Sequence, residues 1–208
     1  FYQIIKGNGG FDVIIGNPPY VEYSKIRKIY IIQNYQTLYS GNLYSYVIER
    51  SFKIIKNHNY IGMIIPISAF CTARMECLMN VFYQNSTKTF ISNFAERPSK
   101  LFEGAERNLS IVIAKIERLY KCKELYTTYY YKWKSENRNQ VFNSISYYNA
   151  TNIVLPSNCP KIGCRPEFTI LQKLRSIKNN IGFYTCRQTN NVFYYKNSLL
   201  QCLDIWLP

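Results

Sequence analysis

The chain has 208 residues, of which 47% are hydrophobic, and its 26 lysines and arginines against 12 aspartates and glutamates give a formal net charge of +14. No apolar run reaches the roughly 18 to 20 residues that span a bilayer, and no signal peptide opens the chain, so neither a membrane protein nor a secreted one is expected. The seven scattered cysteines include no CxxC pair and no zinc-finger spacing, which favours a reduced, cytoplasmic protein without a structural metal.

The positive charge favours a polyanionic partner, most often nucleic acid. The 20 tyrosines and 12 phenylalanines among those cations suit stacking on bases. An AT-rich genome produces the same excess of Lys, Ile, Asn and Tyr without such a partner, so charge alone does not decide. The chain does not begin with Met, and we expect it to be a piece of a longer protein.

Strands and helices alternate over the first half of the chain. After a glycine-rich turn at residues 7–10, the stretch 11–15, apolar except for Asp12, predicts a strand buried in a parallel sheet. Further elements are predicted in chain order: a polar, tyrosine-rich connection over 24–40, a helix over 43–56, a strand over 60–65, a helix over 72–83, and strands over 88–94 and 109–116. This order is typical of a doubly wound α/β sheet. Because no helix separates the last two strands, we expect them to pair antiparallel.

The pattern changes after about residue 118. Residues 126–133 are aromatic and basic, 156–166 are rich in Pro, Gly and Cys, and a short helix is predicted over 167–178. We therefore expect two parts, residues 1–118 and an extension over 119–208.

The stretch Asn17-Pro18-Pro19-Tyr20 directly follows the first predicted strand. In open α/β sheets, ligands bind beyond the carboxyl ends of the strands. Asn17 offers a side-chain carbonyl oxygen, the two prolines offer stiffly held backbone carbonyls without N–H groups, and Tyr20 offers a flat ring. The complementary ligand is a planar group with an NH₂ that donates two hydrogen bonds.

The sequence FDVIIGNPPY (residues 11–20) resembles the catalytic motif of N6-adenine DNA methyltransferases. The resemblance implies an S-adenosylmethionine-dependent enzyme that flips an adenine out of double-stranded DNA. In this family pattern, Asn17 and Pro18 accept hydrogen bonds from the exocyclic amine, Tyr20 stacks on the base, and Asn17 and Pro19 lie near the methionine end of the cofactor. The same four residues also occur in enzymes that methylate a glutamine side-chain amide.

The context after the motif is similar to type IIG and related restriction–modification methylases. NLYSYVIERSFKIIKNHNYIGMIIPISAF follows the motif, and RPSKLFEGAERNLSIVIAKI (97–116) resembles the segment that adds a second aromatic ring against the base. Phe102 is the matching position, and the alternative for it is a core phenylalanine. The resemblance implies a Rossmann-like methyltransferase sheet and a fused or partner endonuclease. It is weak beyond residue 118, where the extension is expected to lead toward target recognition.

One part of the family pattern is missing. The glycine-rich cofactor loop after a first strand is absent, because residues 7–10 precede the motif strand, and the acidic residue that ends a second strand is absent as well. We therefore expect the N-terminal half of the sheet to lie outside this sequence. Two alternatives stay open: a methyltransferase acting on another planar amine in protein or RNA, and a non-enzymatic DNA-binding module.

Overall fold

The computed structural model describes residues 2–104, 106–118 and 123–177. Its elements are α1 (Tyr2–Lys6), β1 (Phe11–Gly16), α2 (Leu43–Ile54), β2 (Ile55–Pro66), α3 (Glu76–Asn85), β3 (Ser86–Phe94), β4 (Leu109–Ile116), β5 (Glu124–Tyr131), β6 (Tyr148–Asn149) and α4 (Arg165–Ser176). Short 3₁₀ turns occupy Tyr23–Lys25, Gln36–Ser40, Ile67–Phe70, Ala73–Met75, Ser135–Gln140 and Thr151–Ile153. None of the helices in these ranges combines the length and apolar character that a membrane span requires.

The described strands form one sheet in the order β1-β2-β4-β3-β5-β6. β1 pairs with β2, and β3 with β5, in parallel, whereas β4 runs antiparallel to both β2 and β3. Four strands, β1, β2, β3 and β5, therefore run in one direction. The predicted α/β class and the antiparallel pairing of residues 88–94 with 109–116 are both confirmed.

One face of the sheet carries the main core. α2 contributes Tyr44, Ile48 and Phe52, and α3 contributes Leu78 and Phe82, all nearly inaccessible to solvent. Alternate residues of β2 and β4 point to these helices, which is the period of two expected for strands with one covered face. Both helices thus pack on the same face.

The opposite face of the sheet is open around β1. Val13 and Ile15 are 58% and 79% exposed, whereas Ile14 between them packs on the main core. Their partners in β2 are Tyr60, which is exposed, and Gly62. In the described part of the chain, β1 is also an edge strand. The strand predicted to be buried on both faces is therefore covered on one face only.

Element boundaries depart from expectation where the chain bulges. β2 begins at Ile55 rather than at residue 60, because the residues between the predicted helix and strand form a bulge within the strand, with His58 at a φ of 64°. The partner of β1 accordingly jumps from Ile55 opposite Phe11 to Tyr60 opposite Val13. The helix expected over 72–83 starts only at Glu76, after two 3₁₀ turns.

The sheet continues beyond the expected division at residue 118. The aromatic, basic stretch after it contains β5, which pairs in parallel with β3, and β6 then pairs with β5. The helix predicted over 167–178 is confirmed as α4, two residues earlier at each end. The predicted extension beyond residue 177 lies outside the described residues.

Candidate active site

The carboxyl ends of four strands meet at one edge of the sheet. The loop after β1, the 3₁₀ turns after β2 and the segment after β5 all leave the sheet there, and the 95–108 loop joins β3 to β4 at the same edge. Topology alone therefore brings the Asn17 and Phe102 loops together at the place where open α/β sheets bind ligands.

The four motif residues differ in exposure. Asn17 and Pro19 are exposed, Pro18 is buried, and Tyr20 is half-buried. Within the described part of the chain, the Asn17 side chain has no hydrogen-bond partner. The loop therefore presents the Asn17 amide to solvent while burying the proline that follows it.

Backbone pairing holds the chain that follows the motif. The Leu43 N–H donates to the Val21 carbonyl at 3.0 Å, and the Tyr23 N–H donates to the Gly41 carbonyl at 2.8 Å. These bonds tie the loop to the residues at the amino end of α2. An ion pair between Arg74 and Glu22, at 2.5 Å, adds a link to the turns after β2. The Arg74 hydrogen bond also lowers the pKa of Glu22, so the pair stays charged at neutral pH.

Tyr20 is fixed by contacts on two sides. Its hydroxyl donates to the Ile64 carbonyl of β2 at 3.0 Å, and its ring meets Tyr44 edge to face with 6.3 Å between centroids. Burial raises the pKa of Tyr20 to about 12, although the positive charge of Arg107 opposes the shift. The hydroxyl therefore remains a donor at neutral pH, and the ring orientation is set before any ligand arrives.

Phe102 lies on the loop between β3 and β4. It is half-buried, and none of the three hydrophobic clusters among the described residues includes it, whereas its neighbour Leu101 packs on the cluster of Phe94, Tyr131, Trp133 and Val141. The far end of the loop is bonded to the turns after β2, because the Ile67 N–H donates to the Asn108 carbonyl at 3.0 Å. The stacking roles of Tyr20 and Phe102 stay predictions.

Several residues at this edge escaped the sequence analysis. Arg74 and Arg107 are brought near the motif by loops that are distant in sequence, and Tyr44 supports Tyr20 from α2. Their spacing in the sequence carries no signal, since only the strand order makes these loops neighbours. A correct prediction of strand order would have identified the loops at this edge, but not the individual side chains on them.

A cavity of about 300 Å³ lies at the other end of the molecule. It is lined by α3 and by the first residues of β3 and β5, among them Ser86, Thr89 and Leu125. Because the parallel strands begin there, the cavity is at the edge opposite Asn17. It is therefore separate from the candidate site.

With the site defined, the chain can be compared with known proteins. The Eco57I restriction-modification methylase family matches residues 1–102, which include the Asn17 loop, β1 to β3 and Phe102. This part of the chain, just under half of its length, is similar to that restriction–modification methylase family. The motif strand, both core helices and the two predicted stacking residues all lie within the matched range.

Two similar proteins are much longer than this chain. This chain is 28% identical over 189 residues to the "Putative type II restriction enzyme and methyltransferase RM.MjaORFECS2P" of Methanocaldococcus jannaschii, covering 91% of this chain and 15% of the relative. Among solved structures, a nuclease-deletion mutant of the Type ISP restriction-modification enzyme LlaGI, in complex with a DNA substrate mimic, superposes with a TM-score of 0.50 at 15% identity. That match covers 67% of this chain and 17% of LlaGI, and it shows a shared fold.

Proposed function

We propose that this chain supplies the substrate half of the active site of a DNA methyltransferase that methylates N6 of adenine within a restriction–modification system. The observation that carries the proposal is the exposed Asn17 amide at the carboxyl edge of the sheet, which has no hydrogen-bond partner among the residues that the structure describes. The chain spans 15% of its M. jannaschii relative. The active unit in this proposal, called the complete enzyme, is therefore a protein that carries this sequence together with a cofactor-binding half.

Asn17 and Pro18 act by accepting hydrogen bonds from the adenine amine. The amine lone pair is delocalised into the ring, and two acceptors aimed at its hydrogens draw it toward a nucleophilic geometry. Asn17 is too weak a base to remove a proton, so the extra proton leaves to water after transfer. Orientation and electrostatics supply the rate enhancement, which is consistent with a motif whose Tyr20 hydroxyl is bonded to Ile64 and whose following residue, Val21, is bonded to Leu43.

Tyr20 and Phe102 hold the flipped base in this proposal. The Tyr20 hydroxyl is committed to Ile64, so the ring itself is the surface available for stacking. Phe102 is half-buried outside the described core clusters, which leaves part of its ring accessible. Each base–aromatic contact contributes roughly 1 to 3 kcal/mol, enough to offset the unstacking of one base.

S-adenosylmethionine supplies an electrophilic methyl group when it is bound. The residues present fit its methionine end, since Asn17 and Pro19 are exposed at the carboxyl edge. Gly9 and Gly10 lead into β1 at the opposite edge, so they do not form the glycine-rich loop that would hold the rest of the cofactor. In this proposal that loop comes from the second half of the sheet, beside the free edge of β1.

Double-stranded DNA is the proposed partner, supported by the +14 charge and by the DNA substrate mimic in the LlaGI complex. An endonuclease, fused or separate, is proposed on the same basis. A glutamine side chain presents the same planar NH₂ to Asn17, so the product of the reaction must be identified directly.

The test is to find the methylated atom. The complete enzyme is incubated with S-adenosylmethionine carrying a labelled methyl group and with DNA, and the nucleosides and protein digests are analysed by mass spectrometry. The proposal predicts label in N6-methyladenine at a fixed sequence context. Label in glutamine or in RNA, or DNA binding without any transfer, would contradict it and favour the corresponding alternative.

A further inference from the structure

The 95–108 loop is attached firmly at its ends and sparsely in its middle. At the start, the Ala95 N–H donates to the Tyr131 carbonyl at 2.8 Å, and the Glu96 N–H donates to the Asn108 side chain at 3.0 Å. Between these anchors, among the described loop residues 97–104 and 106–107, only two main-chain groups are hydrogen-bonded to the rest of the protein. Both bonds come from one side chain.

That side chain is Arg138, on the Ser135–Gln140 turn that follows β5. Its Nη2 donates to the Leu101 carbonyl at 2.9 Å, and its Nη1 donates to the Lys100 carbonyl at 3.4 Å. The Leu101 side chain is held separately, by packing on the cluster that contains Trp133 and Val141. Arg138 is thus hydrogen-bonded to the two peptide groups that directly precede Phe102.

We propose that Arg138 is a positioning residue, which sets the direction of the Phe102 ring toward the base held by Tyr20. The inference rests on the proposed function, in which both rings stack on a flipped base. A guanidinium bonded to consecutive carbonyls restricts rotation of the peptide planes, and those planes direct the next side chain. Fixing the loop beforehand lowers the ordering cost when the base arrives.

The position of Arg138 gives this contact a second consequence. It lies in the part of the chain beyond residue 118, which is predicted to lead toward target recognition. The Arg138 bonds are therefore a direct physical link between that part and the loop that closes on the base. Movement of the Ser135–Gln140 turn on DNA would be transmitted to Phe102 through two hydrogen bonds.

A different role for Arg138 makes a distinguishable prediction. Arg138 is exposed, and an exposed arginine can contact a DNA phosphate, where a lysine would serve nearly as well. Arg138→Lys keeps the charge but loses the planar fork. Positioning therefore predicts a loss in Arg138→Lys close to that of Arg138→Ala, whereas phosphate binding predicts near-normal behaviour for Arg138→Lys.

The experiment is a double-mutant cycle in the complete enzyme. Fluorescence of 2-aminopurine at the mapped target base reports base capture for Phe102→Ala, Arg138→Ala, Arg138→Lys and the double variant Phe102→Ala/Arg138→Ala. We expect Arg138→Ala to weaken base capture about threefold to tenfold. In the Phe102→Ala background the same change should have an effect of less than about twofold. Affinity for DNA without a target site should stay unchanged.

Arg118 offers a matched control. Its Nη2 donates to the carbonyls of Phe52 and Ile55, at 2.7 and 3.0 Å, at the opposite edge of the sheet. Arg118→Ala removes the same kind of contact and should lower thermal stability while leaving base capture by the folded enzyme at the wild-type level. An equal loss of base capture in Arg118→Ala would show a general effect of destabilisation and overturn the proposal.

The outcomes separate this inference from the proposed function. If Phe102→Ala leaves base capture unchanged, the stacking role and this inference both fail. If Phe102→Ala weakens base capture but the effect of Arg138→Ala is absent or fully additive to it, this inference alone fails. Should Arg138→Ala not fold, Arg138→Lys carries the same cycle, and near-normal base capture by that variant overturns the positioning role.

Discussion

At the scale of single residues, the loop after β1 combines anchored and presented side chains. Pro18 is buried and Tyr20 is bonded to Ile64, whereas Asn17 and Pro19 face solvent. The loop therefore loses its conformational entropy when the protein folds, and little more is lost when a ligand binds. What remains free is an amide and part of an aromatic ring, which suits a planar, amine-bearing ligand better than a charged or an aliphatic one.

Removal of either ring tests the proposal that Tyr20 and Phe102 stack on a flipped base. Tyr20→Ala and Phe102→Ala should each weaken capture of an extrahelical base in the complete enzyme by roughly ten- to a hundredfold, because each stacking contact contributes about 1 to 3 kcal/mol. Phe102→Trp should be tolerated, since it keeps a flat face. The 2-aminopurine signal measures capture. If Phe102→Ala lowers the melting temperature but leaves the 2-aminopurine signal unchanged, Phe102 is a core residue and does not stack on the base.

At the scale of elements, the position of β1 depends on close backbone contact at its start. Gly10 has a φ of 124°, and a Cβ built on it would lie 2.3 Å from the Ile54 carbonyl oxygen at the end of α2. Gly9 also has a positive φ, of 76°, but a Cβ there would meet no atom within 4 Å. A side chain would therefore strain the backbone at both glycines, and at Gly10 it would also collide with the end of α2.

Alanine at these two positions should therefore have unequal effects. Gly9→Ala is expected to cost about 1 kcal/mol, from the left-handed conformation alone. Gly10→Ala adds overpacking against α2, which costs about a further 1 to 3 kcal/mol, and it should displace the strand that leads into Asn17. Thermal unfolding of the two variants measures the difference. Equal melting temperatures would argue against tight packing of β1 on α2.

The elements that the sequence predicted well are those with a strong local pattern. Residues 109–116 and the start of the helix at Leu43 were predicted correctly because hydrophobic periodicity alone defines them. β5 was not predicted as a strand. Its sequence ELYTTYYY was described only as aromatic and basic, and its pairing with β3 is not evident from the sequence.

The same limit applies to the candidate site. The Asn17 loop could be located because a buried strand and two prolines mark it locally. Arg138 and Arg107 could not be found, because their neighbours are set by strand order and by loop packing across about 35 to 90 residues of sequence. Local patterns thus predict the motif, and only tertiary structure reveals the side chains that support it.

At the scale of the whole molecule, α2 and α3 cover one face of the sheet, whereas the opposite face is open around β1. Val13 and Ile15 are exposed beside Tyr60, along a strand that lies at the edge of the sheet in the described part of the chain. Exposed apolar side chains on an unpaired edge promote association. In the proposed complete enzyme, the cofactor-binding half of the sheet pairs with this edge and covers this face.

Residues 1–208 expressed alone should therefore aggregate and should not bind S-adenosylmethionine. Val13→Thr together with Ile15→Thr should raise the soluble fraction, because the changes fall on the open face and keep β-branched side chains. Ile14→Thr, on the core face of the same strand, is the control and should lower it. Light scattering and calorimetry are the measurements. Micromolar cofactor affinity in this chain would contradict the division into two halves.

The most direct measurement of the central claim is the rate of methyl transfer to DNA by the Asn17→Ala variant of the complete enzyme. Loss of a charge-stabilising contact of this kind typically lowers the rate on the order of 100- to 1,000-fold, and binding of S-adenosylmethionine should fall much less. Asn80→Ala, which removes an exposed asparagine of α3 beside the distant cavity, is the matched control and should transfer at the wild-type rate. The account predicts N6-methyladenine from Asn80→Ala and almost none from Asn17→Ala. Near-normal methylation by Asn17→Ala would contradict it.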